Sequence, residues 1–173
     1  SQEKLESCIN SDLANNYGNL CQRVVLFNEK NFNLKIPNNY KFNKDDQQIL
    51  DIYSSNIENL INSIDNQNIN YYVNFIQEQL FAANKYFNDQ EPWKKKSDKE
   101  RLNSILYVSL ELIRKISILL YPIIPESSIK ALKTFNITED KIDFNSIKNH
   151  EILKVNSDIN KISILFKKTT IND

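Results

Sequence analysis

Asn19 and Arg23 stand four residues apart in a stretch of helical periodicity, so both leave one side of a helix at the border of its apolar stripe. An amide beside a guanidinium offers donors and an acceptor that suit the hydrogen-bonding edge of a nucleobase. The same spacing also describes an ordinary solvated face. Trp93, the single tryptophan, follows Pro92 and precedes Lys94, Lys95 and Lys96 in a break between helical segments. An indole in such a loop can stack on an unpaired base while neighbouring lysines neutralise phosphates. The plainer reading is a tryptophan that caps a bundle beside a solvated lysine run. Gly18 lies inside the helical stretch, where glycine costs about 1 kcal/mol relative to alanine. That points to close helix packing there, or less directly to the approach of a ligand.

Other chemistries lack their residues. His150 is the only histidine, which leaves a histidine-based zinc site or a Ser-His-Asp triad little to build on. One glycine cannot supply a P-loop or a G-x-G-x-x-G turn. Glu78 and Glu111 read as isolated carboxylates, and no Glu-x-x-His motif supports a di-metal bundle site. Tyr72 and Phe87 fit a core stripe better than a stacking surface. No catalytic residue, metal ligand or cofactor site emerges. Cys8 and Cys21 share one helical segment and would sit ~20 Å apart along it, too far to bridge. Unpaired thiols without a secretory signal fit a cytoplasmic protein.

The elements that must position Asn19, Arg23 and Trp93 are helices. The chain has 173 residues, 40% hydrophobic and 25% charged, with 22 basic residues balancing 22 acidic ones. That is an ordinary globular balance for one domain, and a single glycine excludes collagen and turn-rich β-sandwiches. Leu5, Ile9, Leu13, Leu20, Val24 and Phe27 form one apolar face that predicts a first helix ending near Glu29. Residues 30–43 read as a long surface connection. A second helix should start around Asn43–Asp45, where Asp45 and Asp46 suit the positive end of the helix dipole. A polar link at Asp65–Asn68 leads to a third helix carrying Tyr72, Ile76, Leu80, Ala83 and Phe87.

That helix must stop before Pro92, whose ring drives Glu91 out of the helical region. Ser97-Asp98-Lys99-Glu100 reads as a capping box with Ser97 as N-cap. The fourth helix, from about Leu102 to Tyr121, is apolar on nearly all sides, which marks the centre of a bundle. Glu111, Arg114 and Lys115 in its middle argue against a membrane span. Pro122 ends it, and Pro125 opens a fifth helix with Ile129, Leu132 and Phe135 on one face. The expected fold is therefore all-α, a bundle of about five helices over residues 1–135. An irregular C-terminal tail, 136–173, would pack back on it, with Ile162-Ser163-Ile164-Leu165-Phe166 as a short strand or extended end.

Three stretches carry a family resemblance. Asn10-Ser11-Asp12-Leu13-Ala14-Asn15-Asn16-Tyr17-Gly18-Asn19-Leu20-Cys21-Gln22-Arg23-Val24 resembles the start of the anticodon-binding domain of methionyl-tRNA synthetases. Tyr86-Phe87-Asn88-Asp89-Gln90-Glu91-Pro92-Trp93-Lys94 resembles the second signature of that family, and Leu119-Leu120-Tyr121-Pro122-Ile123-Ile124-Pro125-Glu126 its helix break. Order and separation agree over residues 3–135. The resemblance is fainter at Ile164-Leu165-Phe166.

The resemblance implies the helical bundle of class I synthetase anticodon-binding domains and a methionine tRNA with a CAU anticodon as partner. It implies that Trp93 stacks on the first anticodon base, a cytosine, and that Asn19 and Arg23 contact that base or its neighbours. Lys94, Lys95 and Lys96 are candidate phosphate contacts on charge alone. The His-Ile-Gly-His-like and Lys-Met-Ser-Lys-Ser-like motifs of the synthetic site are absent, so this chain should be a piece that catalyses nothing alone. Its parent would ligate methionine to tRNA with ATP and magnesium, through a catalytic domain that is a further partner; no membrane is implied. A net charge of +0 predicts weak, salt-sensitive RNA binding. Two alternatives stay open: the anticodon domain of a sister synthetase for leucine, isoleucine, valine or cysteine, or a helical protein-interaction module in which Trp93 is a buried cap.

Overall fold

A computed structural model describes residues 2–161, with side chains from residue 10 onward. The strand or extended end expected at 162–166 lies outside these residues. Five α-helices follow in order: α1 (Gln2–Phe32), α2 (Lys44–Asp65), α3 (Ile69–Gln90), α4 (Lys99–Leu120) and α5 (Pro125–Thr134). Short 3-10 turns occur at Pro92–Lys94, Glu139–Lys141 and Phe144–Lys148. The described residues contain no strand, only one isolated antiparallel bridge between Lys35 and Asp158. No helix among them is long and apolar enough to cross a membrane.

α4 is the axis. Every residue from Ser104 to Leu120 is buried, and α1, α2, α3 and α5 all pack against it. Its all-round apolarity makes this arrangement the one that removes most surface from water; truncating one such leucine to alanine costs about 2–5 kcal/mol. Tyr17 of α1 hydrogen-bonds Ser117 of α4, and Gly18 is buried next to it, which fits the packing reading of that glycine.

Three sequence expectations change. First, α1 runs to Phe32, past Glu29, and stops where Asn33 and Leu34 take left-handed backbone angles (φ 53° and 58°). Asparagine is the residue that tolerates this termination best after glycine. Second, the segment after α1 is a surface connection only in part. Ile36 is buried, and Ile36 and Leu34 exchange backbone hydrogen bonds with Asn156, Ser157 and Ile159 of the C-terminal segment. Tyr40 stacks on Tyr107 of α4 at 3.9 Å with nearly parallel rings. Third, the N-cap of α4 is Asp98 and not Ser97. The Asp98 carboxylate accepts the Arg101 backbone N–H at 3.2 Å, because a carboxylate meets both the open N–H groups and the dipole better than a hydroxyl one residue earlier.

Glu111 also differs from its reading as a partnerless carboxylate. It is fully buried, receives Arg114 Nε and Nη2 at 3.0 and 2.8 Å, and accepts the Leu153 N–H at 2.9 Å. Lys115, equally buried, donates to the carbonyls of Ile147 and Asn149 at 2.7 and 2.6 Å. These bonds hold residues 146–153 against α4, while Ile147, Leu153 and Ile159 enter the core.

Candidate nucleic-acid interface

Trp93 owes its position to the turn before it. α3 ends at Gln90, and Glu91 adopts a left-handed conformation (φ 49°, ψ 59°). The proline ring excludes the right-handed helical region for the residue before it, and the left-handed region turns the chain sharply at a cost of about 1–2 kcal/mol. Pro92 then starts a 3-10 turn, closed by Lys94 N–H to Glu91 C=O at 2.9 Å and Lys95 N–H to Pro92 C=O at 3.0 Å. Pro92 is buried and anchors the loop, and Trp93 is left 44% exposed. That value sets aside the buried-cap reading.

The exposed indole rests edge-on against Phe87, with centroids 6.2 Å apart at 60°. Phe87 is itself 3% exposed and belongs to the core, as its spacing predicts. The guanidinium of Arg23 lies over the same ring, 5.2 Å from its centroid. The two distances together put Arg23 within about 11 Å of the Trp93 indole. Arg23 also donates from Nη1 to Asn84 Oδ1 at 3.0 Å and from Nη2 to Asn88 Oδ1 at 2.5 Å. The Asn84 amide is oriented for this, because its Nδ2 donates to the Leu80 carbonyl at 3.1 Å. Two of the five guanidinium N–H donors are thus used to fix its plane, and three remain for a ligand. Asn19 is exposed one turn earlier on α1 and makes no side-chain hydrogen bond among the described residues.

A buried cluster braces both ends of the loop. Asp46, fully buried in the first turn of α2, accepts Arg101 Nη1 and Nη2 at 2.8 Å each, Tyr86 Oη at 2.5 Å and the Asn43 N–H at 3.1 Å. Arg101 Nη2 also reaches Gln90 Oε1 at 2.9 Å. Tyr86 and Gln90 precede the Trp93 turn on α3 and Arg101 follows it on α4, so one carboxylate fixes the spacing across the turn. Burial alone would raise the Asp46 carboxyl, but the bonds from Arg101, Tyr86 and Asn43 outweigh it and hold it below the usual carboxylate range.

The lysine run is less uniform than its sequence. Lys94 pairs with Glu91 at 2.8 Å on the surface, a pair that raises Lys94 and lowers Glu91 from their ordinary values. Lys95 is half-buried and Lys96 exposed. Sequence reading missed Asn84, Asn88 and the Asp46–Arg101 brace, although Asn84 and Asn88 stand four apart on α3, the spacing that singled out Asn19 and Arg23 on α1. Among the described residues no group of three or more His, Cys, Asp or Glu side chains could hold a metal ion.

Relatives of the chain agree on one family. The family model described as "Anticodon binding domain of methionyl tRNA ligase" matches residues 36–173. The methionine–tRNA ligase of Brucella suis is 35% identical over 145 residues, 83% of this chain and 28% of that protein. That of Thermotoga maritima is 31% identical over 175 residues, spanning all of this chain and 28% of the relative. The chain therefore spans under a third of the length of these relatives. The crystal structure of apo Mycobacterium tuberculosis methionyl-tRNA synthetase superposes with a TM-score of 0.80 at 30% identity, over 92% of this chain and 33% of that one. The same synthetase in complex with methionyl-adenylate gives 0.79. The chain belongs to the family of anticodon-binding domains of methionyl-tRNA ligases.

Proposed function

We propose that this chain reads the CAU anticodon of methionine tRNAs for a methionine–tRNA ligase. The observation that carries this reading is the common seat of Arg23 and Trp93 on the Phe87 ring, with Arg23 locked by Asn84 and Asn88. An exposed indole and a fixed guanidinium seated on one ring offer a stacking face and directed donors to the same short stretch of unpaired bases. Stacking on Trp93 supplies about 1–3 kcal/mol and tolerates any base. Discrimination in favour of cytosine falls to Asn19 and Arg23, whose donors meet the carbonyl and ring nitrogen of its pairing edge while the Asn19 oxygen accepts from the exocyclic amine. Lys95 and Lys96 neutralise phosphates of the loop, and Lys94 joins them if Glu91 releases it.

The activity lies with the rest of the ligase. Methionyl-adenylate, which the Mycobacterium tuberculosis relative binds, joins methionine to the AMP part of ATP; on this reading ATP, together with magnesium, acts in a catalytic domain outside this chain. Residues 1–173 act as one anticodon-binding domain beside it, in the cytoplasm, with 1–135 as bundle and 136–173 as its tail, of which the described part, 136–161, folds onto it.

Trp93 is its own probe. Titrating the chain at low salt with a methionine anticodon stem-loop should quench its fluorescence saturably, and changing the first anticodon base from cytosine should weaken binding about tenfold or more. Equal affinity for both loops overturns the assignment of Asn19 and Arg23. A Trp93→Ala chain that binds as tightly as wild type overturns the stacking role.

A further inference from the structure

Phe81 is 72% exposed, more than any other large hydrophobic side chain among the described residues. Single exposed apolar residues are common and need no explanation by themselves. The neighbours of this one are what matter. At 3.6 residues per turn, Phe81 lies ~60° around α3 from Asn84 and ~20° from Asn88, so the ring stands on the face that holds Arg23, one turn before the Asn84 contact. Trp93 packs on Phe87, six residues further along α3 and ~120° around it from Phe81, beside the ring that also seats Arg23. Along α3 the order is therefore an exposed ring, a fixed cation with free N–H donors, and a second exposed ring. Gln77, Asn84 and Asn88 share the face with Phe81 and supply amides, the Glu78 carboxylate flanks it, and Lys85 is paired with Asp89, which leaves Arg23 as the cation of this face.

We propose that Phe81 is a second stacking platform, for a splayed base of the same anticodon loop adjoining the one on Trp93. The inference rests on the anticodon-reading assignment and deepens it. The chemistry matches the occupant. A nucleobase needs an apolar face against its own and hydrogen-bond partners at its edge, and a cation between two such faces neutralises the phosphate linking the bases. A protein partner would seek a contiguous apolar patch, and a lone ring among amides does not offer one. Stacking on two rings also fixes the direction in which the loop crosses α3, which a single platform leaves open.

The test uses the chain with a methionine anticodon stem-loop in which 2-aminopurine, fluorescent when unstacked, replaces the middle adenine. Wild type should bind with the probe quenched. Phe81→Ala should weaken binding about 5- to 100-fold and restore probe emission while Trp93 quenching persists at saturation, and Phe81→Leu, apolar without a π-face, should recover little of the loss. With the side chain mostly in water, both variants keep the wild-type circular dichroism. If Phe81→Ala binds like wild type with the probe still quenched, and Trp93→Ala does not, the second platform fails while the Trp93 reading stands. If neither substitution matters, both fail. If Phe81→Ala leaves RNA affinity unchanged and turns a dimer into a monomer in sedimentation, the ring serves a second copy and the proposal is overturned.

Discussion

Replacing Asp46 by asparagine removes one charge from a site that no solvent reaches and keeps its shape. In the wild type that carboxylate takes four hydrogen bonds, two from Arg101, one from Tyr86 and one from the Asn43 backbone. The amide can accept at one oxygen only, and its own N–H donors then face those of Arg101. Removing one partner of a buried ion pair costs about 3–5 kcal/mol. The Arg101 side chain stays 16% exposed and keeps Gln90 as an acceptor, which places the expected loss near the lower end, about 3 kcal/mol. For a chain of this size that lowers the melting temperature by about 6–12 °C. At a urea slope of about 2 kcal/mol per M it moves the unfolding midpoint down by about 1.5 M.

The same change carries a pH signature. Because the folded Asp46 is held below its ordinary value, its stabilisation is complete above the unfolded pKa of about 3.9 and is lost as pH falls through the folded value. The gap between wild type and Asp46→Asn should thus hold its full width down to about pH 4 and narrow below it as pH falls toward the folded value. Urea unfolding followed by circular dichroism at pH 7, 5 and 3.5 measures both. A loss under about 1 kcal/mol, or a gap that stays constant across that range, would refute the brace as described.

Two further outcomes follow from named groups. Burial first, then Arg114, push the Lys115 ammonium down to about 7, against the pull of Glu111. An unfolded lysine titrates near 10.4, so between pH 7 and 9 the unfolded chain binds the extra proton and stability rises with pH, by up to about 1.4 kcal/mol per unit. Lys115→Met should flatten that rise in urea midpoints at pH 7, 8 and 9, and an unchanged slope would count against it. Lys96→Ala should weaken anticodon stem-loop binding and reduce the slope of log affinity against log salt by about 0.7, whereas Lys94→Ala, its ammonium already paired with Glu91, should move that slope less. Equal effects would mean that Glu91 releases Lys94 on binding.

How far the sequence reached can be followed element by element. Five helices, the Asp65–Asn68 link, the stop before Pro92 and the start at Pro125 rest on apolar spacing and on proline, which act within a turn or two of chain. Local physics of that kind is written in consecutive residues. The centrality of α4 was legible for the same reason, since a helix apolar on every side has one place to go. The α4 cap was missed by one residue locally, whereas the end of α1 and the segment after it depend on a distant partner. α1 gains another turn because Asn33 and Leu34 can leave it in left-handed geometry and the next residues pair with Asn156–Ile159. Glu111 read as isolated although Arg114 stands three residues on, a helical spacing visible in the sequence; only its further partner, the Leu153 N–H, lies 42 residues away.

The candidate interface divides along the same line. Residue types and the i, i+4 spacing named Asn19 and Arg23, and the Pro-Trp break named Trp93, from the sequence alone. Only the tertiary structure decided that Arg23 and Trp93 meet on one phenylalanine, and that Asn84 and Asn88 hold the guanidinium across 61 and 65 residues of chain. Periodicity tells a side chain which face of its own helix it occupies. Which other face it meets depends on how the helices cross, and that is set by the packing of α1, α3 and α4 as a whole.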